Sequence, residues 1–371
     1  MLGFGLRLSG RLKASLLFLA LLIAASPAPA QNLYRSNLET RRDGNTLKQA
    51  SSVRGVYINR ESLASGAVFE ICTRLKDAGG NAIVFDAKDD SGLFTYLSPV
   101  ATGYLGEAPR WTVIPDLRGF VTTLKGQGIY TIARVVTFKD GEMARLRPEW
   151  RLEDEWLDPA NPAVQKYILA VVRELIACGV DEIQLDYFRY PANGSTLTSR
   201  KGRTRPDVIS GMLEQIHQLT ARHGVLLSLD MFGIIIWERP VDVTVVGQEL
   251  SRLVDHCEII SPMIYPSHFS RGFGGIKNPA DEPYRLIYDS LSRMRAKQGD
   301  RVMIRPWLQA FPLHVTKGFG PGYMASQIRA SRDAGGSGWL LWSPGNRYEP
   351  SYPAIAAQGY KARRPQARVR R

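Results

Sequence analysis

Three aspartates stand at comparable points of three apolar runs: Asp86 in NAIVFDAKD (81–89), Asp186 in GVDEIQLDYFRYP (179–191) and Asp230 in VLLSLDMFG (225–233). Side chains two apart on an extended strand share a face, so Gln184 accompanies Asp186 and Ser228 accompanies Asp230. Reading every apolar run this way gives an inward polar set of Asn59, Asp86, Arg134, Gln184, Asp186, Ser228, Asp230, Tyr265, Arg305, Gln309 and Trp342. Burying such groups is costly without partners, and Arg134, Arg189 and Arg305 are the cations at hand. A hydrogen-bonded rim that merely closes the fold would account for any one of these residues. It accounts poorly for three carboxylates at one mouth, because like charges repel unless a proton or cation is shared.

Two carboxyl groups across one cleft can cleave a glycosidic bond. One protonates the departing oxygen, and the other attacks the anomeric carbon or activates water. The aromatic residues suit the same chemistry. Trp111, Trp150, Trp156, Trp237, Trp307 and Trp342, with Tyr187, Tyr190, Tyr265 and Phe269, fall near the ends of apolar runs or in the stretches beyond them, while Trp339 reads as core. Aromatic faces pack against the apolar faces of sugar rings and keep their polar tips wet. The substrate-binding candidates are therefore Asp86, Arg134, Tyr187, Arg189, Trp237, Tyr265, Trp307, Gln309 and Trp342. No metal or other cofactor is expected. The five histidines lack paired-ligand spacing, Asp89 and Asp90 read as a solvated pair, and neither a G-x-S-x-G elbow nor a P-loop occurs.

Eight β-branched runs must position these groups: 53–59, 82–89, 130–138, 181–188, 225–233, 257–265, 302–311 and 338–343. Most are nearly continuous in apolar residues, as parallel strands covered on both faces are. Amphipathic stretches fill the gaps. AVQKYILAVVRELIACG opens after Asn161-Pro162 and stops at Gly179, the expected signals for a helix start and end. Connections entering the strands are tight, while those leaving them are long: 91–111, 139–159, 192–205, 267–281 and 312–320. Long loops after strands build the active face of a (β/α)8 TIM barrel, so the expectation is an α/β, single-domain barrel over 53–348. A doubly wound open sheet competes poorly, because no Gly-rich turn follows the first run.

The ends read differently. Arg7, Arg11 and Lys13, an apolar run over 14–25 and Ala28-Pro29-Ala30 before Gln31 form a signal-peptide pattern over 1–30. The apolar run is too short to be expected to span a membrane, so the mature protein is expected to be periplasmic or extracellular. Residues 31–52 read as a polar linker and 349–371 as a basic, disordered tail. The net charge of +13 is concentrated at these ends: 1–30 contribute +3 and 361–371 contribute +6, leaving +4 for the body. Nucleic acid is not an expected partner, and the tail could touch anionic polymer or a membrane surface. Cys72, Cys178 and Cys257 lie far apart and read as free thiols.

At GVDEIQLDYFRYP the chain resembles a bacterial family assigned to the glycosyl hydrolases, with (β/α)8 barrels and a fourth-strand pattern G-V-D-x-I-x-x-D-Y-x-R-[YF]-P. The resemblance extends through RGVYIN, NAIVFDAKD, IARVVTFKD, SLDMFG, SPMIYPSHF and GWLLWSP. The family is distantly similar to the α-amylase-like barrels, where an aspartate ending strand four is the nucleophile. The resemblance implies that role for Asp186, with Gln184 where those enzymes usually carry an arginine. It implies an acid after strand five, Asp230 by strand-end position or Glu238 in the following loop. Tyr187 and Arg189 would orient Asp186. The implied activity is retaining hydrolysis of a cell-envelope or extracellular polysaccharide; the alternative is a barrel that binds or scaffolds glycan without cutting it.

Overall fold

The eight apolar runs become eight parallel strands in the computed structural model, which describes residues 44–192, 202–237 and 240–359. They are β1 (Arg54–Ile58), β2 (Ala82–Lys88), β3 (Tyr130–Val136), β4 (Glu182–Asp186), β5 (Leu226–Phe232), β6 (Ile259–Met263), β7 in two pieces (Met303–Ile304 and Trp307–Gln309) and β8 (Trp339–Trp342). Each pairs with the next, and β8 returns to β1 in the register Arg54↔Trp339, closing a single-domain (β/α)8 barrel. The outer layer includes α1 (Ala67–Ala78), α2 (Leu117–Gly126), α3 (Pro162–Cys178), α4 (Arg205–Arg222), α5 (Pro283–Gln298), α6 (Pro321–Asp333) and α7 (Ser351–Ala356). The ends of α3 follow from its sequence. Asn161, just before Pro162, accepts through its side chain from the Ala163 amide, and Gly179 takes the left-handed conformation (φ 82°) that stops the helix.

Three departures from the sequence reading have local causes. The run 302–311 does not form one strand, because Pro306 has no N–H to give the ladder. The pieces on either side still pair, Ile304 with β6 and Trp307 with both β8 and β6. Residues 44–50, inside the stretch expected to be linker, form a helix. It ends against the base of the barrel, where the Ala50 carbonyl accepts from Arg305 Nη2 (2.8 Å). In the stretch expected to be tail, α7 packs Ala354 and Ile355 into the core, with α1 and α6 as neighbours. Residues 1–30, Glu238 and the basic stretch 361–371 lie outside the described residues.

The barrel interior has a charged floor. Arg305, expected at the mouth, sits instead at the base, because it directly follows the first piece of β7. Its Nη1 donates to both Glu182 oxygens at 2.9 Å, and Tyr130 Oη donates to Glu182 Oε2 at 3.0 Å. Both members of the ion pair are fully buried.

The seam between β1 and β8 is stitched beyond the strands. The Tyr57 carbonyl accepts from Asn346 Nδ2 (3.0 Å) and Tyr348 Oη (2.7 Å). Asn59, placed among the inward residues from sequence, instead caps the helix Arg60–Ala64 and donates from Nδ2 to the Pro344 carbonyl (2.9 Å). All three cysteines are free thiols. Among the described residues no helix is long and apolar enough to cross a membrane.

Candidate functional site

Strand alternation turns Asp86, Arg134, Asp186 and Asp230 inward at the carboxyl ends of β2 to β5. Arg134 lies between two carboxylates. Its Nη1 donates to Asp86, while Nε and Nη2 donate to Asp186 Oδ2 at 3.0 and 2.6 Å. The guanidinium beside Asp186 is thus supplied by β3, the neighbouring strand, with Gln184 one layer below donating from Nε2 to Ser261 Oγ (3.3 Å). Tyr57 Oη closes the other side of Asp86 at 2.6 Å. The Tyr57 ring stacks on Trp342 with centroids 4.0 Å apart, and Trp342 meets Trp307 edge-on at 5.6 Å. Trp307 donates from its indole N–H to Asp230 Oδ1 at 2.8 Å.

Beside them opens a cavity of about 600 Å³, lined by Arg134, Asp186 and Asp230 among others. Tyr187, Arg189, Tyr265, Trp307 and Trp342 also reach it. A regular strand would send Tyr187 to the face opposite Asp186. Instead Tyr187 takes φ 48°, an uncommon conformation for a non-glycine residue, and its amide donates to Asp186 Oδ1 at 2.7 Å. This turn brings Asp186, Tyr187 and Arg189 to one cavity. Arg189 makes no hydrogen bond to Asp186, although sequence reading gave it an orienting part; its Nη1 donates to the Tyr190 carbonyl at 2.9 Å. Arg134 holds Asp186 instead.

Other sequence candidates lie away from the cavity wall. Asp86 stands behind Arg134. Gln309 ties the loops after β6 and β7 together, accepting from the Ser267 amide (2.9 Å) and donating to the Phe311 carbonyl (2.9 Å). Trp237 packs under Phe273 (4.8 Å) with the Arg293 guanidinium over its ring at 5.0 Å. Sequence reading missed Tyr57, which looks like core in VRGVYIN, although its place on the same face as Gly55 was legible. It also missed Ile234, Met263 and Phe273, which give the cavity an apolar side. Gly233 belongs to that wall for a steric reason: a Cβ there would stand 2.6 Å from the Met263 carbonyl oxygen.

The two cavity carboxyls differ electrically. Asp186 has Arg134 as its counter-charge. Asp230 is 2% exposed, and burial pushes its carboxyl well above the usual carboxylate range. The Asp186 charge raises it further, against the opposing pull of Arg134 and the Trp307 hydrogen bond. A carboxyl held as the acid beside a second, charge-paired carboxylate is an acid/base pair made by environment. The raised value also has a sign for stability. The native state keeps a proton that the unfolded chain releases above about pH 4, so stability attributable to Asp230 falls as pH rises above that value. Asp230→Asn is therefore expected to melt higher than the parent at neutral pH, with the gap closing as pH falls toward 4. Equal melting temperatures at pH 7 would show that the carboxyl is not held in its acid form.

The closed barrel with its cavity at the carboxyl ends of the strands defines the class: a (β/α)8 barrel. Residues 55–348 match the family described as "Putative glycosyl hydrolase domain", and the chain belongs to that family. Among solved structures it is similar to the PgaB (BpsB) glycoside hydrolase domain from Bordetella bronchiseptica (14% identity, 82% of this chain and 98% of that one, TM-score 0.60). It is also similar to the beta-amylase catalytic domain from Paenibacillus polymyxa (13%, 85% and 100%, 0.55). A chitinase from Chromobacterium violaceum shares the barrel too (13%, 84% and 100%, 0.51). At these identities the likeness is one of fold. No curated protein matches the chain.

Proposed function

We propose that the protein is an exported glycoside hydrolase that cleaves a polysaccharide of the cell envelope or extracellular matrix. The observation that carries this reading is that Asp186 and Asp230, in opposite electrostatic settings, line one aromatic-walled cavity. Asp230 acts as the general acid, giving its proton to the departing glycosidic oxygen. Asp186 acts as the nucleophile at the anomeric carbon, and Asp230, now deprotonated, activates the water that releases the sugar. Retention is favoured by the resemblance to α-amylase-like barrels. Trp307 orients Asp230 through its indole N–H, and Trp342 and Tyr265 supply ring surface beside the two carboxyls. Neighbours described as a glycoside hydrolase, a beta-amylase and a chitinase support a carbohydrate polymer as substrate. The pattern over residues 1–30 supports export.

One experiment tests the reading. Protein recovered from the envelope or medium, expected to begin at Gln31 by mass spectrometry, is incubated with envelope glycans and exopolysaccharides. New reducing ends are expected, appearing first with the anomeric configuration of the bond cut when followed by NMR. The opposite anomer would replace the double displacement with direct attack of water. Binding without any cleavage would make this a glycan-holding barrel.

A further inference from the structure

Arg189 is 8% exposed, and it contributes to the cavity wall beside Asp186. Its bond to the Tyr190 carbonyl is its one hydrogen bond among the described residues. The Nε and Nη2 hydrogens make none, yet those atoms are not sealed in the interior as orphaned donors such as Arg305 Nε are. Three aromatic faces hold the guanidinium: Phe232 at 4.4 Å, Trp156 at 4.7 Å and Tyr187 at 5.3 Å. Aromatic faces steady a cation electrostatically without using its N–H groups.

The contrast with the barrel's other inward arginines is informative. Arg134 is matched by Asp86 and Asp186, and Arg305 by Glu182. Arg189 has no carboxylate within ion-pair distance among the described residues, although burying a cation without a hydrogen-bonded counter-charge is costly. Burial pushes its guanidinium down to about 10, so it still carries its charge at neutral pH. Asp186 acts on the guanidinium through space, but its oxygens already accept from Arg134 and the Tyr187 amide. An aromatic box and an Nε–Nη2 edge left open, on the wall that also carries Asp186, make a receptor for an anion.

We propose that Arg189 binds an anionic substituent of the sugar seated next to Asp186, so that the substrate is an acidic polysaccharide. This rests on the hydrolase reading above. The open edge presents two parallel N–H donors, matching the two oxygens of a planar carboxylate, so a uronate is the favoured source and a sulfate ester the other. In this arrangement Arg189 sets specificity and position, while the chemistry stays with Asp186 and Asp230.

The test uses Asp186→Asn protein, which keeps Arg189 and blocks turnover, with calorimetric binding to matched pairs. Oligomers of glucuronate, galacturonate and mannuronate are compared with their carboxyl-reduced forms, and dextran sulfate with dextran. At least one acidic member is expected to bind about 10-fold or more tighter than its neutral twin, the range for hydrogen bonds to a charged group. Arg189→Met added to that background should erase the difference, and Arg189→Lys should restore part of it. A preference confined to dextran sulfate keeps the anion site and assigns it to a sulfate ester. Equal binding to both members of every pair overturns the proposal, even where Arg189→Met fails to fold, because that comparison needs no change at Arg189. The two readings separate on the parent enzyme. Cleavage of a neutral polymer with no acidic preference sinks the anion site alone. Acid-selective binding with no cleavage of any polymer sinks the hydrolase reading alone.

Discussion

The Asp186→Asn protein is expected to fold as the parent does, to bind glycan, and to lose hydrolysis by about 10³-fold or more. The size follows from the role. Removing a group that acts on the reacting bond typically costs about 10²–10⁴ in rate, and an amide cannot form the glycosyl intermediate. Folding should survive although the Tyr187 amide loses its acceptor, because asparagine keeps an oxygen for the Arg134 donors and Asp86 remains on the other side of that guanidinium. Release of reducing ends, measured beside a thermal melt, checks both halves. Normal turnover would make Asp186 an anchor for Arg134 and nothing more.

Glu182→Ala is expected to do the opposite, unfolding the protein easily while keeping most of the chemistry. It leaves Arg305 fully buried with the Ala50 carbonyl as its remaining hydrogen-bond partner. Breaking one side of a buried ion pair costs about 3–5 kcal/mol, which denaturant titration would show as a large drop in midpoint. The pair lies at the base of the barrel, away from the cavity, so activity per folded molecule well below the melting temperature should largely persist. The limb of the pH profile set by the general acid should move down, because Glu182 helps to raise Asp230. Replacing both partners, as Glu182→Leu with Arg305→Met, should recover much of the loss, since a well-packed apolar pair carries no desolvation cost. A loss below about 1 kcal/mol for Glu182→Ala would mean that water reaches the floor.

The barrel was legible because parallel strands buried on both faces leave continuous apolar runs, and each of the eight runs contains a strand. Which polar residues face inward was legible for Asp86, Arg134, Asp186 and Asp230, where period-two alternation holds to the strand end. It failed where the backbone leaves that period. Pro306 splits β7 and strands Arg305 at the base, and the left-handed Tyr187 carries the following residues out of alternation. The links of Arg134 to two carboxylates, and of Trp307 to Asp230, depend on strand register around the ring. No local spacing encodes that register. Catalytic roles rest on chemistry and resemblance, and the substitution at Asp186 addresses them directly.

The seam between β1 and β8 bears on how the molecule comes together in time. It joins residues such as Tyr57 and Asn346, 289 positions apart, and ordering so long a loop must precede any reward from the contact. Until then β1 and β8 are unpaired edges, the kind of surface that recruits other chains. The stacked pair at the mouth, Tyr57 from β1 and Trp342 from β8, spans this seam. The mouth is therefore complete only when the ring is, and a growing chain holds no finished cavity until β8 has been made.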